Sequence, residues 1–105
     1  MSKYKDFTNL AADFAWETDL HGNITYITGK KRFGYQNSQL VGLEATKLLH
    51  KSSSPGSKRY FTSKKPLADA ELVIKQATGA PVTLQISTKP IFDKDGLWRG
   101  TRGIG

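Results

Sequence analysis

The sequence predicts an α+β fold: a five-stranded antiparallel sheet with short helices on one face and an amphipathic helix at the amino terminus. Three stretches support this prediction. Two extended runs joined by turn residues end the chain, a shorter pair of runs lies near its start, and Gly, Pro and Ser interrupt the segment between them. A two-stranded hairpin is not stable alone in water, so the rest of the chain must cover the sheet.

The carboxy-terminal hairpin has the clearest pattern. Apolar and polar residues alternate over 82–87, which is the period of a strand with one buried face. Residues 93–96, Asp-Lys-Asp-Gly, have turn chemistry, and a second extended run follows at 97–104. Gly100 and Gly103 interrupt that run, which predicts a bulge or a close approach of another backbone.

The amino-terminal part predicts one helix and one short hairpin. Apolar residues at i, i+3, i+4 and i+7 predict an amphipathic helix over 4–15. Two short strands follow at 15–20 and 23–28, joined by a His-Gly turn. We expect the tryptophan of the first strand to pack, and Asp19 to bond the backbone of the turn.

The segment after this hairpin predicts short helical pieces. Residues 32–35 form a single turn that a glycine stops. A short helix capped by Asn37 or Ser38 then ends at Gly42. Residues 43–50 keep helical spacing between their apolar side chains.

The remaining segment predicts a loop, a helix and the third strand of the sheet. Residues 51–57 are a loop without a core residue, and a further short helix contains Tyr60 and Phe61. Residues 67–76 have helical propensity, but their apolar residues alternate and a turn follows at once. We therefore predict a strand that pairs with residues 82–91.

Composition restricts the class of protein. The chain has 105 residues, of which 37% are hydrophobic and 10% aromatic, so one globular domain is expected. It has no cysteine, which excludes disulfides and thiolate chemistry. No run is long and apolar enough to span a membrane, and the start lacks the apolar region of a signal peptide. We expect a cytoplasmic protein.

The positive charge is concentrated in one segment. The net charge is +7, and between residues 30 and 65 Glu44 is the only acidic residue. A phosphate-contacting surface is one interpretation, and a solvated helical face is the other, which we favour. The nine basic residues of this segment are Lys30, Lys31, Arg32, Lys47, Lys51, Lys58, Arg59, Lys64 and Lys65.

This order of elements resembles the PAS (Per-Arnt-Sim) sensor domain over nearly the whole chain. Residues 16–19 and 22–26 match the opening strand pair of that family, and 34–35, 40–42 and 48–50 match its helical Gly-Tyr and Leu-Val-Gly segment. The closing hairpin, the PAC motif, is matched by Ile86-Ser87, Pro90-Ile91-Phe92-Asp93, Asp95-Gly96, Arg99-Gly100 and Arg102-Gly103-Ile104. Two features depart from the pattern: residues 28–34 are short, and the Asp-Ile-Thr sequence that commonly follows the last strand is absent.

The resemblance implies a sensory, non-enzymatic module. On this basis residues 1–15 are the N-terminal helix, 16–105 are the PAS core, and the domain is excised from a larger bacterial signalling protein. A C-terminal effector of the histidine kinase or diguanylate cyclase type would receive the signal. The resemblance also implies a homodimer, and the apolar stripe of the N-terminal helix is the predicted dimer contact, through Phe7, Leu10 and Phe14.

Each cofactor found in PAS relatives needs particular residue types, and the sequence can be checked for them. Photochemistry of the light-oxygen-voltage kind needs a cysteine, so its flavin reaction is excluded. Heme needs an axial ligand, and neither His21, in the predicted turn, nor His50, after Leu48-Leu49, is expected to supply one. The sequence has no catalytic grouping and no metal-ligand spacing. The cofactor, if any, is not identified.

A ligand pocket is predicted between the helices and the inner face of the sheet. Either a ligand or the chain's own aromatic side chains must fill it, because a dry cavity is costly. A ligand would be a small anion whose charge meets Arg32, Arg59 or a helix N-terminus. The predicted lining is Tyr26, Phe33, Leu40, Leu49, Phe61, Leu72, Ile74, Leu84, Ile86 and Ile104.

Two other functions stay open. One is a protein-interaction module with no ligand. The other, less favoured, is a nucleic-acid binder that stacks bases on exposed aromatics, for which Tyr26, Phe92 and Trp98 are the candidates.

Overall fold

The computed structural model describes residues 14–29 and 33–105. These residues form one antiparallel sheet with a helical layer against one face. The elements in chain order are β1 (Phe14–Asp19), β2 (Ile24–Gly29), α1 (Asn37–Leu40), the 3₁₀ helices η1 (Ala45–Leu48) and η2 (Pro55–Thr62), β3 (Leu67–Lys75), β4 (Pro81–Phe92) and β5 (Trp98–Ile104).

The five strands lie in the order β2-β1-β5-β4-β3, with every neighbouring pair antiparallel. The two hairpins meet at the centre of the sheet, where β1 pairs with β5. The predicted α+β class and the five-stranded sheet are confirmed. The prediction of a strand rather than a helix for residues 67–76 is also confirmed, because β3 pairs with β4 from Leu67 to Lys75.

The turn between β4 and β5 forms as the sequence predicts. One carboxylate oxygen of Asp93 accepts hydrogen bonds from the backbone N–H groups of Asp95, at 2.9 Å, and Leu97, at 3.0 Å. The register shifts at the end of β4, where Ile91 faces Gly100 and Phe92 faces Trp98. The predicted bulge is therefore present.

Gly103 allows the side chain of Trp16 to approach the backbone of β5 closely. A side chain there would place its Cβ 2.2 Å from Cζ2 of Trp16, because the indole ring lies directly over this position. The glycine thus leaves space for the largest side chain of the core.

The turn between β1 and β2 depends on Asp19. Its Oδ1 accepts hydrogen bonds from the backbone N–H groups of His21 and Asn23, each at 2.9 Å. Burial opposes ionisation of this carboxyl, but the hydrogen bonds from Asn23 and His21 outweigh it and hold the pKa of Asp19 below its usual value. The predicted turn is confirmed.

The predicted N-terminal helix over 4–15 is wrong at its end. β1 begins at Phe14, which pairs with Gly29, so Phe14 and Ala15 are extended. The alternation of Phe14, Trp16 and Thr18 on the inner face explains why a strand forms here. Residues 4–13 lie outside the described residues.

The helical layer differs from the prediction in two details. Helix α1 begins after Gln36, whose backbone N–H donates to the side-chain oxygen of Gln39 at 2.8 Å, so neither Asn37 nor Ser38 is the cap. The segment 51–57 is not free of core residues. Ser57 has no exposed surface, and its hydroxyl donates at 2.6 Å to the carbonyl of Ser54, the residue before η2. This hydrogen bond makes a serine acceptable in the core.

The exposed edge of β3 is covered by the segment that follows η1. The N–H of His50 donates to the carbonyl of Val73, and the N–H of Val73 donates to the hydroxyl of Ser53 at 3.1 Å. Leu49 forms an isolated bridge with Ile74. This pairing protects the edge strand and fixes the helical layer against the sheet.

Candidate ligand cavity

A cavity of about 50 Å³ lies between the inner face of the sheet and the helical layer. Apolar atoms form its surface. The residues that line it are Phe14, Trp16, Ile24, Ile27, Phe33, Tyr35, Leu40, Ala45, Leu48, Phe61, Leu72, Ile74, Leu84 and Ile86.

Strand alternation supplies the floor of the cavity. Leu72 and Ile74 on β3 face Leu84 and Val82 on β4, and Ile86 follows on the same face. Leu72 and Ile86 are each only 2% exposed. A period of two places these side chains together under the helical layer.

Four aromatic rings pack against one another beside these strands. Phe14 stacks on Trp16 with ring centroids 5.5 Å apart, and Phe33 meets Phe14 edge-on at 5.3 Å. Phe61 meets Trp16 edge-on at 6.2 Å. Of the two ways to fill the predicted pocket, the structure favours aromatic side chains. The remaining 50 Å³ costs about 1.2 kcal/mol if dry, at ~24 cal/mol per Å³.

One wall of the cavity has an uncommon backbone conformation. Phe33 has φ 55°, in the left-handed region, and Gly34 follows at φ 87°. The carbonyl of Phe33 accepts from the N–H of Ala77 at 2.9 Å, and the hydroxyl of Tyr35 donates to the carbonyl of Lys75 at 2.7 Å. These contacts hold the segment on the end of the β3–β4 hairpin.

The structure brings together seven of the ten predicted pocket residues. The other three lie elsewhere. Tyr26 is 48% exposed, because the register shift between Glu17 and Thr18 pairs it with Glu17 and directs it to the face opposite to Ile24. Leu49 packs against the core without lining the cavity. Ile104 lines a separate groove with Leu67 and Lys89, because it alternates with Gly103, which lies under the Trp16 ring. The seven that line the cavity are Phe33, Leu40, Phe61, Leu72, Ile74, Leu84 and Ile86.

Seven lining residues were not predicted. Phe14 and Trp16 are the most informative of these, because they are two residues apart, which is the spacing of side chains on one face of a strand. Phe14 is absent from the predicted lining because the sequence analysis places it in the N-terminal helix. The others are Ile24, Ile27, Tyr35, Ala45 and Leu48.

Of the two predicted contacts with an anion, Arg59 is not part of the cavity. Arg59 lies in η2 with its side chain exposed, and Arg32 lies outside the described residues. Within the described chain no charged side chain lines the cavity.

The prediction that Phe14 is a dimer contact is wrong. It is 6% exposed and packs inside the core, so it is not available to a second chain. Phe7 and Leu10 lie outside the described residues.

The candidate stacking residues do not form one surface. Tyr26 and Phe92 are both exposed, but strands β1 and β5 lie between β2 and β4. Trp98 is half-buried, and the ammonium of Lys64 lies over its ring at 5.1 Å. The three aromatics therefore give no continuous platform for bases.

The described residues offer little to a metal or a heme iron. They include no group of three or more His, Asp or Glu side chains that is close enough to hold a metal ion. Neither His21 nor His50 lines the cavity, and Nδ1 of His50 is in hydrogen-bond contact with Ser52. The cavity also does not fit a flavin, since ligands of that size occupy pockets of several hundred Å³. In the part of the chain described, no helix is long and apolar enough to cross a membrane.

Comparisons with known proteins place this geometry in a known fold. No family model and no curated protein matches the sequence. Solved structures do match. A PAS domain from Colwellia psychrerythraea has a TM-score of 0.71 at 21% identity, covering 97% of this chain and 91% of that one. A light-oxygen-voltage domain studied with a flavin analogue has a TM-score of 0.75 at 15% identity, covering 95% and 79%. The blue-light photoreceptor Vivid has a TM-score of 0.65 at 17% identity, covering 87% and 75%.

The chain therefore has the fold that PAS and light-oxygen-voltage domains share. At these identities the likeness concerns the fold.

Proposed function

We propose that this chain is a sensory and dimerising module of a larger signalling protein and is not itself an enzyme. Its cavity takes a small ligand, and occupancy biases the ends of the sheet. The fold supports this proposal, because PAS and light-oxygen-voltage domains share it.

The observation that carries the proposal is the position of Phe14. Its ring lines the cavity, and its backbone N–H and C=O pair with Gly105 at 3.3 and 3.0 Å. The ring also occupies the space beside Gly105, where an added Cβ would lie 2.5 Å from Cζ. A ligand that displaces this ring therefore alters the pairing at the end of β5.

The proposed output is a C-terminal effector of the histidine kinase or diguanylate cyclase type in the cytoplasm. Residues that follow Gly105 would receive the change in pairing with Phe14. A homodimer through Phe7 and Leu10 would couple two such changes. The ligand-free interaction module is the alternative, and the small size of the cavity favours it.

Amide hydrogen exchange tests the relay from the cavity to the sheet end. Ala45 lines the cavity and has no exposed surface, so Ala45→Val mimics occupancy. We expect exchange of the Gly105 and Phe14 amides to change at least about threefold. Ala80→Val, at an exposed turn, is the control and should leave both amides unchanged. If the effect of Ala45→Val stays within η1, the relay is wrong.

A further inference from the structure

A groove of about 280 Å³ lies across β3, β4 and β5 and is separate from the cavity. Its surface is almost wholly apolar. Ile86 on β4 lines the cavity, and Ser87 and Lys89 alternate with it, so these two residues belong to the opposite face of the sheet. Both of them line the groove. The groove is therefore on the face opposite to the helical layer.

The floor of the groove contains two cross-strand pairs. Gly103 on β5 lies under the core indole ring, so its neighbours Arg102 and Ile104 belong to the opposite face. In the register of β4 and β5, Ser87 faces Ile104 and Lys89 faces Arg102. Ile104 supplies apolar surface, and the methylene stems of the two basic residues continue it.

A bulge at the start of β3 forms the wall of the groove. The register of β3 and β4 shifts between Leu67 and Ala70, and Asp69 within this bulge has φ 54°. The backbone N–H of Asp69 donates to the hydroxyl of Ser87 at 3.3 Å, which holds the bulge against β4. Residues 66–68, Pro-Leu-Ala, line the groove on this side.

The charged side chains of the groove have one sign. Of the described residues that line it, two are charged, and both are cations, Lys89 and Arg102. Nε and Nη2 of Arg102 donate to one carboxylate oxygen of Glu17, at 3.1 and 2.7 Å. Lys89 is exposed, and it forms no ion pair within the described part of the chain. The groove thus combines an apolar floor with one ammonium group whose charge is not paired.

We propose that this groove binds a small carboxylate with an apolar body. The body lies against Leu67 and Ile104, and the carboxylate pairs with the ammonium of Lys89. This site is separate from the cavity, and it does not depend on the proposed sensory function.

Charge and exposure favour this ligand over a neutral one and over an anion in the cavity. An ionised carboxylate in an apolar cavity is strongly disfavoured unless it is paired, and no charged side chain of the described residues lines the cavity. At the groove the carboxylate keeps contact with water beside the exposed Lys89, so it is not fully desolvated. The small anion that the sequence predicts therefore fits the groove and not the cavity.

The volume sets the size of the probe. An apolar cavity of roughly 150 Å³ binds benzene, so about 280 Å³ accommodates roughly ten heavy atoms. Hexanoate is within this limit. Hexanamide has the same shape and number of heavy atoms without the charge, and acetate has the charge without the apolar body.

Titration of the ¹⁵N-labelled chain at low salt with each of these three probes tests the proposal. We expect hexanoate to shift the amide resonances of Ser87 and Ile104 and to bind about two- to fivefold more tightly than hexanamide. Acetate should give no saturable shift over the same range. Leu40 and Ala45 line the cavity, and their amides should stay unchanged.

Lys89→Gln removes the charge and keeps most of the stem. It should weaken hexanoate binding about two- to fivefold and leave hexanamide binding unchanged. Lys94→Gln, at the exposed turn between β4 and β5, changes the net charge equally and is the matched control. It should change neither affinity.

Each contrary outcome has a separate meaning. Equal affinities for hexanoate and hexanamide, or equal losses in the two lysine variants, would show that Lys89 does not receive the carboxylate. Hexanoate shifts at Leu40 and Ala45 alone would support the sensory cavity and overturn this site.

Two further results would show that protein, and not a small molecule, occupies the groove. If the Ser87 and Ile104 resonances change with protein concentration in the absence of ligand, a second copy of the chain covers the groove. If Leu10→Ser shifts them in the absence of ligand, the residues before Phe14 cover it. Either result overturns the proposal.

Discussion

Gly103→Ala is the substitution whose effect follows most directly from the structure. The new Cβ would lie 2.2 Å from Cζ2 of Trp16 and 2.5 Å from two further ring atoms. Gly103 does not have a positive φ, so alanine is allowed by the backbone and the effect comes from the ring alone. The indole must move by about 1 Å or more to restore an ordinary separation of ~3.5 Å.

The ring has little freedom to move. Phe14 stacks on it and Phe61 meets it edge-on, and only 5% of Trp16 is exposed. Overpacking of a close-packed core costs about 1–3 kcal/mol, and the constraint on both sides of this ring places the expected cost near 3 kcal/mol. That is a large part of the ~5–15 kcal/mol by which a domain of this kind is stable.

Urea denaturation followed by far-ultraviolet circular dichroism measures this cost. Gly56→Ala is the control, because a Cβ at Gly56 meets nothing within 4 Å and its φ is not positive. We expect it to change the free energy of unfolding by no more than about 0.5 kcal/mol. In a Trp16→Phe background the cost of Gly103→Ala should fall by about 1–2 kcal/mol, because the clashing atoms are absent.

Two results would refute the reasoning. One is an equal cost for Gly103→Ala and Gly56→Ala. The other is an unchanged cost in the Trp16→Phe background, which would show that the clash with the indole is not the cause.

Four further predictions concern other contacts. Thr18→Val removes the 2.7 Å hydrogen bond to the carbonyl of Phe61 and should lower the free energy of unfolding by about 1–3 kcal/mol, against Thr83→Val as control, in urea denaturation. Leu72→Ala, at a site 2% exposed, should lower it by about 2–5 kcal/mol in the same assay. Asp19→Asn should be less stable than the parent near pH 7. The folded-state pKa of Asp19 lies below the ordinary 3.8, so the difference in stability between the parent and this variant should hold above pH 3.8 and disappear as the pH falls below it. Thermal unfolding measured against pH would show a difference that does not vary with pH if the carboxylate were unimportant. At Phe33, with φ 55°, a glycine variant should be about 1 kcal/mol more stable than an alanine variant; the usual opposite order would contradict the strain.

The sheet was predictable because its residues alternate and its turns have specific chemistry. The alternation at 67–76 outweighs helical propensity, and the Asp93 and Asp19 turns form the predicted bonds. These patterns depend only on residues close together in the sequence, and the structure retains them.

The cavity was only partly predictable, because its shape depends on contacts between distant residues. Tyr26 and Ile104 are the residue types that line pockets. However, the register shift in β2 directs Tyr26 to the other face, and alternation with Gly103 does the same for Ile104. Phe14 satisfies both a helical pattern with residues before it and a strand pattern with those after it. Pairing with Gly29 and Gly105 selects the strand, and no local signal reveals that pairing.

The same aromatic packing that stabilises the fold limits what a ligand can do. Filling about 50 Å³ recovers at most about 1.2 kcal/mol. A complete switch between two states needs a difference of about 5.5 kcal/mol. A ligand that filled the cavity of one chain would therefore shift the population by about eightfold at most and would not reverse it completely. Coupling two cavities in a dimer would double this free energy to about 2.4 kcal/mol, so an all-or-none output would need contacts outside the cavity. A ligand in the cavity alone would give a graded response.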